Sequence, residues 1–182
     1  MNTFALFGVS VLGSFISSAA AARFLLWPRL KDLERNRALT ALVAPHMFLR
    51  FVGLSFLVPG VVSPLLPAAF AVPAAYGDLI AGILAIVTTI GLVTGTSWAG
   101  KSVWLFNVWG AADLLLGFYE GLHAGLQPGM LGAAFLLVTA LVPPLLITHA
   151  LIFRLLLRRH TAEERQPRQQ LEHLGLPTKQ AR

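Results

Sequence analysis

The chain has 182 residues, of which 56% are hydrophobic and only 12% charged. A soluble domain carries roughly 25% charged residues, so this chain cannot cover a water-soluble globule with polar groups, and it is too apolar for disorder. It has no cysteine, which excludes disulfides, thiolate nucleophiles and cysteine metal sites, and its net charge of +6 does not point to nucleic acid, because the basic residues gather at the edges of apolar runs as in membrane proteins.

Crossing a hydrocarbon core of about 30 Å takes about 20 helical residues. Five apolar runs predict an all-α bundle of five transmembrane helices, at 4–27, 40–62, 72–95, 102–122 and 130–157. They form one domain, 1–157, followed by a mobile basic cytoplasmic tail, 158–182, with a short helix near 162–174. That tail either rests on anionic lipid or only anchors the topology. The first run has no basic residue before it, and Arg23 follows it. A secretory signal has the opposite order, so the run reads as a retained span, although the alanines at 19–22 resemble a cleavage region. Its stripe of Ser10, Ser14, Ser17 and Ala21 predicts a packing face, toward the bundle or another protomer. After the second run come Pro59, Pro64, Pro67 and Pro73, a stiff crossing that places Pro73 in the first turn of the third span. In the fifth run, Pro143 and Pro144 remove two helix hydrogen bonds and predict a kink, with Thr139 and Thr148 near enough to satisfy the freed carbonyls. Trp27, Trp98, Trp104, Tyr76 and Tyr119 fall near span ends as interface belts do, and Trp109 reads as packed within the bundle.

Lys and Arg alternate between connections. The first connection holds Arg29, Lys31, Arg35 and Arg37, the third holds Lys101, and six more follow the last run, whereas 63–71 and 123–129 have none. This predicts the N-terminus outside and the C-terminus in the cytoplasm.

Charged side chains inside spans are the informative residues, because each costs about 2.5–3.5 kcal/mol at the bilayer centre on insertion scales. Arg50 and Asp113 fall near mid-depth, Asp78 about six residues in from outside, and Glu120 close to the outer interface. Arg50 shares a helical face with His46, Gly53 and Gly60; Asp78 with Gly82, Ala85 and Thr89; Asp113 with Gly110 and Gly117. Small residues beside each charge let helices approach, so Arg50 is expected to bridge Asp113, and Asp78 with it. Such a cluster is either an ion pair that docks helices or a site for a proton, an ion or a lipid headgroup. His46 and His149 fall at similar depth on different spans, with Asn107 on the same side. They are either buried neutral histidines, one bonded to Asn107 or a carbonyl, or axial ligands of a b-type haem.

The stretches LRFVGLSFLVPGVVSP (49–64), AYGDLIAG (75–82), FNVWGAADLL (106–115) and THALIFR (148–154) resemble a group of small bacterial inner-membrane proteins of uncharacterised activity. The resemblance covers most of 40–157 and implies a multi-pass protein of the bacterial inner membrane. Arg50 followed by Gly53 and a helix end rich in Gly and Pro is also similar to the DoxX-like proteins, four-helix membrane proteins associated with respiratory or thiol-redox partners. The extra span and the absence of cysteine depart from that family's redox chemistry.

No nucleophile elbow, zincin motif, P-loop or dinucleotide fingerprint occurs, so an enzyme is not the expected class. The leading expectation is a membrane protein whose polar site, Arg50, Asp78, Asp113 and Asn107, binds or conducts a proton, an ion or an amphiphile. One alternative is a structural or accessory subunit of a membrane complex. Another is a haem- or quinone-linked redox subunit using His46 and His149. Five spans are few for alternating access, so a transporter of this size would be a homo-oligomer.

Overall fold

The computed structural model describes the backbone of residues 2–173 and the side chains of 2–158, and the described residues form helices and no strands. Helix α1 (Thr3–Leu30) contains a π turn, Ala22–Leu26, just before Trp27 and Pro28. Pro28 has no N–H to continue the ladder, and the wider turn sits where the ladder is broken.

Helix α2 (Arg35–Leu57) starts five residues before the expected span. The Glu34 carboxylate accepts hydrogen bonds from the Asn36 and Arg37 amides at 3.0 and 3.2 Å, capping the first turn. Pro45 interrupts α2 after Val43, and from Arg50 to Leu57 the chain winds as a 3-10 helix. Pro59 and Gly60, with φ +86°, end it, so Gly60 does not share the helical face of Arg50.

Helix α3 (Ala68–Thr94) starts four residues before the expected span, placing Pro73 in its second turn. It ends at Gly95, whose φ of +67° only glycine adopts freely. Helix α4 (Ala99–His123) follows. A 3-10 turn, Pro128–Ala134, and a π turn, Leu137–Leu141, lead into helix α5 (Val142–His173). The expected fifth span therefore begins as two irregular turns. The π turn precedes Pro143 and Pro144, and neither expected threonine serves their lost bonds. Thr139 donates to the Phe135 carbonyl and Thr148 to that of Leu145. The backbone helix of α5 continues past 157, so the expected tail begins as helix; residues 174–182 lie outside the described residues.

Among the described residues, four segments are long and apolar enough to cross a membrane: α1, α2, α3 and Leu137–Arg158. Helix α4 is not among them. Lys101, Ser102, Asn107, Asp113, Glu120 and four glycines lower its hydropathy. It is held instead by packing, and its main neighbour is α3, which also packs along the second half of α2. Helix α5 packs on α1, α2 and α4.

Helix α1 is peripheral, with no buried residue from Thr3 to Ala21. Its inner face matches the expected stripe only in part: Ser14 and Ala21 are half-buried, with Phe7, Val11, Phe15 and Ser18, whereas Ser10 and Ser17 are exposed. Phe7 meets Phe135 edge-on at 5.9 Å, and Phe15 lies 6.4 Å from Phe118. Trp109 is 40% exposed and not enclosed by the bundle, although its indole N–H donates to the Gly77 carbonyl at 3.3 Å.

The two connections without Lys or Arg meet at one end of the bundle. The Ser63 amide donates to the Met130 carbonyl, and the Ala133 amide to that of Val61, both at 2.9 Å. At the other end, Trp27 is buried rather than belted, with the guanidinium groups of Arg154 and Arg158 at 3.7 and 4.6 Å from its ring. Arg154 and Arg158 thus lie together over the indole of Trp27, whose face attracts cations.

Candidate functional site

The 3-10 winding of α2 arranges the site's first component. Three residues per turn stack positions i, i+3 and i+6 in one line, and here they are Arg50, Gly53 and Phe56, the three buried residues of the stretch. Arg50 is fully buried. Its Nη1 donates to Asp78 Oδ1 of α3 at 2.5 Å and to Asp113 Oδ2 of α4 at 2.9 Å. Its Nη2 donates to the Gly110 carbonyl at 2.6 Å and to His149 Nε2 of α5 at 3.0 Å. Among the described residues its Nε–H has no partner. One guanidinium therefore joins four helices through four of its five donors.

Asp78 does not sit nearer the water than Asp113. It lies ten residues after the start of α3, and Asp113 ten before the end of α4, with side chains only 9% and 11% exposed. The earlier start of α3 draws Asp78 inward.

Glycines make room for these contacts. A Cβ at Gly53 would overlap the Asp78 carboxylate, and one at Gly77 would overlap that of Asp113. A Cβ at Gly110 would stand 2.6 Å from His149 Cε1 and 2.9 Å from Arg50 Nη2. Each helix thus presents a glycine to a polar group of the next, the close approach that small residues permit. On α3 the buried neighbours of Asp78 include Gly82, Ala85 and Thr88; Thr88 is fully buried and donates to the Ser102 carbonyl, while Thr89 is half-buried and its Oγ1 has no partner among the described residues.

A second layer orients the first. Arg50 can only donate, so His149 Nε2 accepts, and His149 Nδ1–H donates to Asn107 Oδ1 at 2.8 Å. Asn107 Nδ2 returns a bond to the His149 carbonyl at 3.3 Å. The Thr148 hydroxyl is spent on the Leu145 carbonyl, so His46 Nε2–H donates to Thr148 Oγ1 at 2.9 Å. His46 Nδ1 is left a buried acceptor with no partner among the described residues.

These contacts do not fit a haem between His46 and His149. The ring centroids are 4.7 Å apart, Phe106 packs at 5.1 Å from both, and both Nε2 atoms are engaged. Axial ligands stand on opposite faces of a macrocycle, and two rings in contact leave no space for one. Among the described residues no three His, Asp or Glu side chains converge as a metal-ligand set.

Asp78 and Asp113 also form the polar wall of a cavity of about 50 Å³, otherwise lined by apolar groups including Phe56, Phe70, Phe118 and Val142. Such a volume admits a few waters. Of the six residues singled out in the sequence, Arg50, Asp78, Asp113, Asn107 and His149 form one hydrogen-bond network, and His46 packs against it through the His149 ring. Sequence reasoning missed Gly77, the cavity wall and the role of Thr148 as the partner of His46. The three-residue spacing of Arg50, Gly53 and Phe56 was the available signal for the wall, and Gly77 stands directly before Asp78.

Residues 6–157 match the model of a protein family described as Domain of unknown function (DUF8737). No curated protein and no solved structure matches the chain.

Proposed function

The chain belongs to the DUF8737 family, and we propose that it is an integral membrane protein that holds a proton or a small cation at Asp78 and Asp113. The observation that carries this reading is the sharing of one guanidinium by two carboxylates at the wall of a cavity. Formal charges count one positive against two negative. An unbalanced charge away from water is costly, and a proton or cation from the cavity supplies the missing positive charge. Phe56, Phe70 and Phe118 keep the rest of the cavity apolar, which strengthens the attraction at the carboxylates.

The proposed setting is a bacterial inner membrane, crossed five times, with the N-terminus outside and the C-terminus in the cytoplasm. Four apolar helices and the segregation of Lys and Arg support it. The polar α4 completes the five crossings, shielded from lipid on its Asp113 side by α3 and α5. The long unburied face of α1 is then open to lipid or to a second copy. A cysteine at Gly125 should react with a membrane-impermeant maleimide in intact cells, and a reporter after Arg182 should read cytoplasmic. Protection of position 125 would overturn this threading.

Infrared spectroscopy tests the site. Stepping the pH of the reconstituted protein should produce a protonated-carboxyl C=O band that is lost in Asp113→Asn. Arg50 keeps Asp78 in that variant, so the fold is retained. A second reading, an accessory subunit whose charges only dock helices, draws on the joining of four helices by Arg50. It stands if no such band appears and Asp113→Asn leaves the spectrum unchanged.

A further inference from the structure

The carboxylate cavity adjoins a second, larger cleft of about 210 Å³, and the two share Phe70, Gly117, Phe118 and Val138 as walls. The cleft runs out between α1, α4 and the 3-10 turn before α5, and its lining is apolar. Its rim is at the surface: Phe4 is 54% and Leu122 82% exposed. Adjoining across these shared walls, the two mark out an apolar passage from the exposed rim at Phe4 and Leu122 to a pair of carboxylates that share one cation.

We infer that this passage is a lateral port for an alkylammonium amphiphile, with the ammonium at Asp113 and Asp78 and the hydrocarbon tail in the outer cleft. The inference rests on the cation-holding reading and names its ligand. Three observations single out this chemistry. The inner end has a negative charge that Arg50 does not balance. The walls beside it include Phe56, Phe70 and Phe118, and aromatic rings attract ammonium groups through their faces. A bare metal ion would need several oxygen ligands, and among the cavity's lining residues only the two aspartates carry side-chain oxygens. An ammonium with a tail needs few hydrogen bonds and brings its own apolar surface.

Gly117 provides the test, because it lines both cavities and a Cβ there meets nothing within 4 Å. The Cβ of Gly117→Leu therefore starts in open space, and the rest of its side chain takes up room at the junction between head and tail positions. With the full-length protein in a neutral detergent, octylammonium should bind saturably by calorimetry and raise the unfolding temperature. Octanol, which has the tail alone, and methylammonium, which has the head alone, should do neither at the same concentration. Gly117→Leu should weaken octylammonium binding at least tenfold while keeping the infrared band of Asp113. Equal binding of octanol and octylammonium, or undiminished binding in Gly117→Leu, overturns the inference. If the carboxyl band is present and octylammonium fails to bind, the amphiphile port is wrong and the proton site stands. If the band is absent as well, both fall.

Discussion

Arg50→Leu is expected to be the most damaging single substitution in the protein. It removes the shared partner of Asp78 and Asp113, whose side chains are 9% and 11% exposed, and strips donors from the Gly110 carbonyl and His149. Breaking one buried ion pair from one side typically costs about 3–5 kcal/mol, and here two acids are stranded together. That is a large share of the roughly 5–15 kcal/mol by which folded domains are usually stable, so expression and the unfolding temperature should both fall sharply. Because two acids depend on one base, a single compensating change is insufficient. Arg50→Leu with Asp113→Leu still strands Asp78, and should recover only part of the loss. The triple variant Arg50→Leu, Asp78→Asn, Asp113→Asn strands no charge and should recover most of it. Thermal unfolding of the three variants in one detergent reads the series. Losses that simply add, with no recovery in the triple variant, would show that the three residues do not act as a unit.

Gly110→Ala should be strongly damaging for a change of a single methyl group. In a helix interior Gly to Ala normally gains up to about 1 kcal/mol. At Gly110 the new Cβ would be 2.6 Å from His149 Cε1 and 2.9 Å from Arg50 Nη2. Neither group can step aside, since the imidazole is held by Asn107 and the guanidinium by two carboxylates. Overpacking of this kind costs about 1–3 kcal/mol, and displacing the guanidinium adds to it. Gly117→Ala, on the same helix, meets open space and should be neutral or stabilising. The two variants thus differ in the sign of their effect on the unfolding temperature. A Gly110→Ala protein as stable as Gly117→Ala would mean that the close approach of α4 to Arg50 is absent in solution.

The polar residues of the site were legible because the membrane-like composition made every charge conspicuous. Arg50, Asp78 and Asp113 interrupt runs in which almost nothing else is ionisable, and the cost of exposing such groups to lipid forces them together. Asn107 and His149 were legible on the same ground, as polar groups at one level. The helix bounds were less so. Arg35, Asn36 and Arg37 look like a connection, and only the Glu34 cap makes them a first turn. The apolar stretch at 128–136 looks like the start of a span, yet Gly132 at φ +54° lies within it and helix α5 begins only after two irregular turns. Hydropathy records which residues avoid water and says nothing about local winding.

That winding has a consequence for how this protein can change. The 3-10 stretch of α2 puts Arg50, Gly53 and Phe56 in one file, so charge, clearance and cavity wall are read in a three-letter frame. Deleting one residue between Arg50 and Phe56 swings the wall about 120° away from the charge, whereas deleting three keeps the file aligned and shortens it by about 6 Å. Along this stretch the chain should tolerate changes of length in threes more readily than in ones, a reading frame kept by geometry in the protein rather than by codons in its gene.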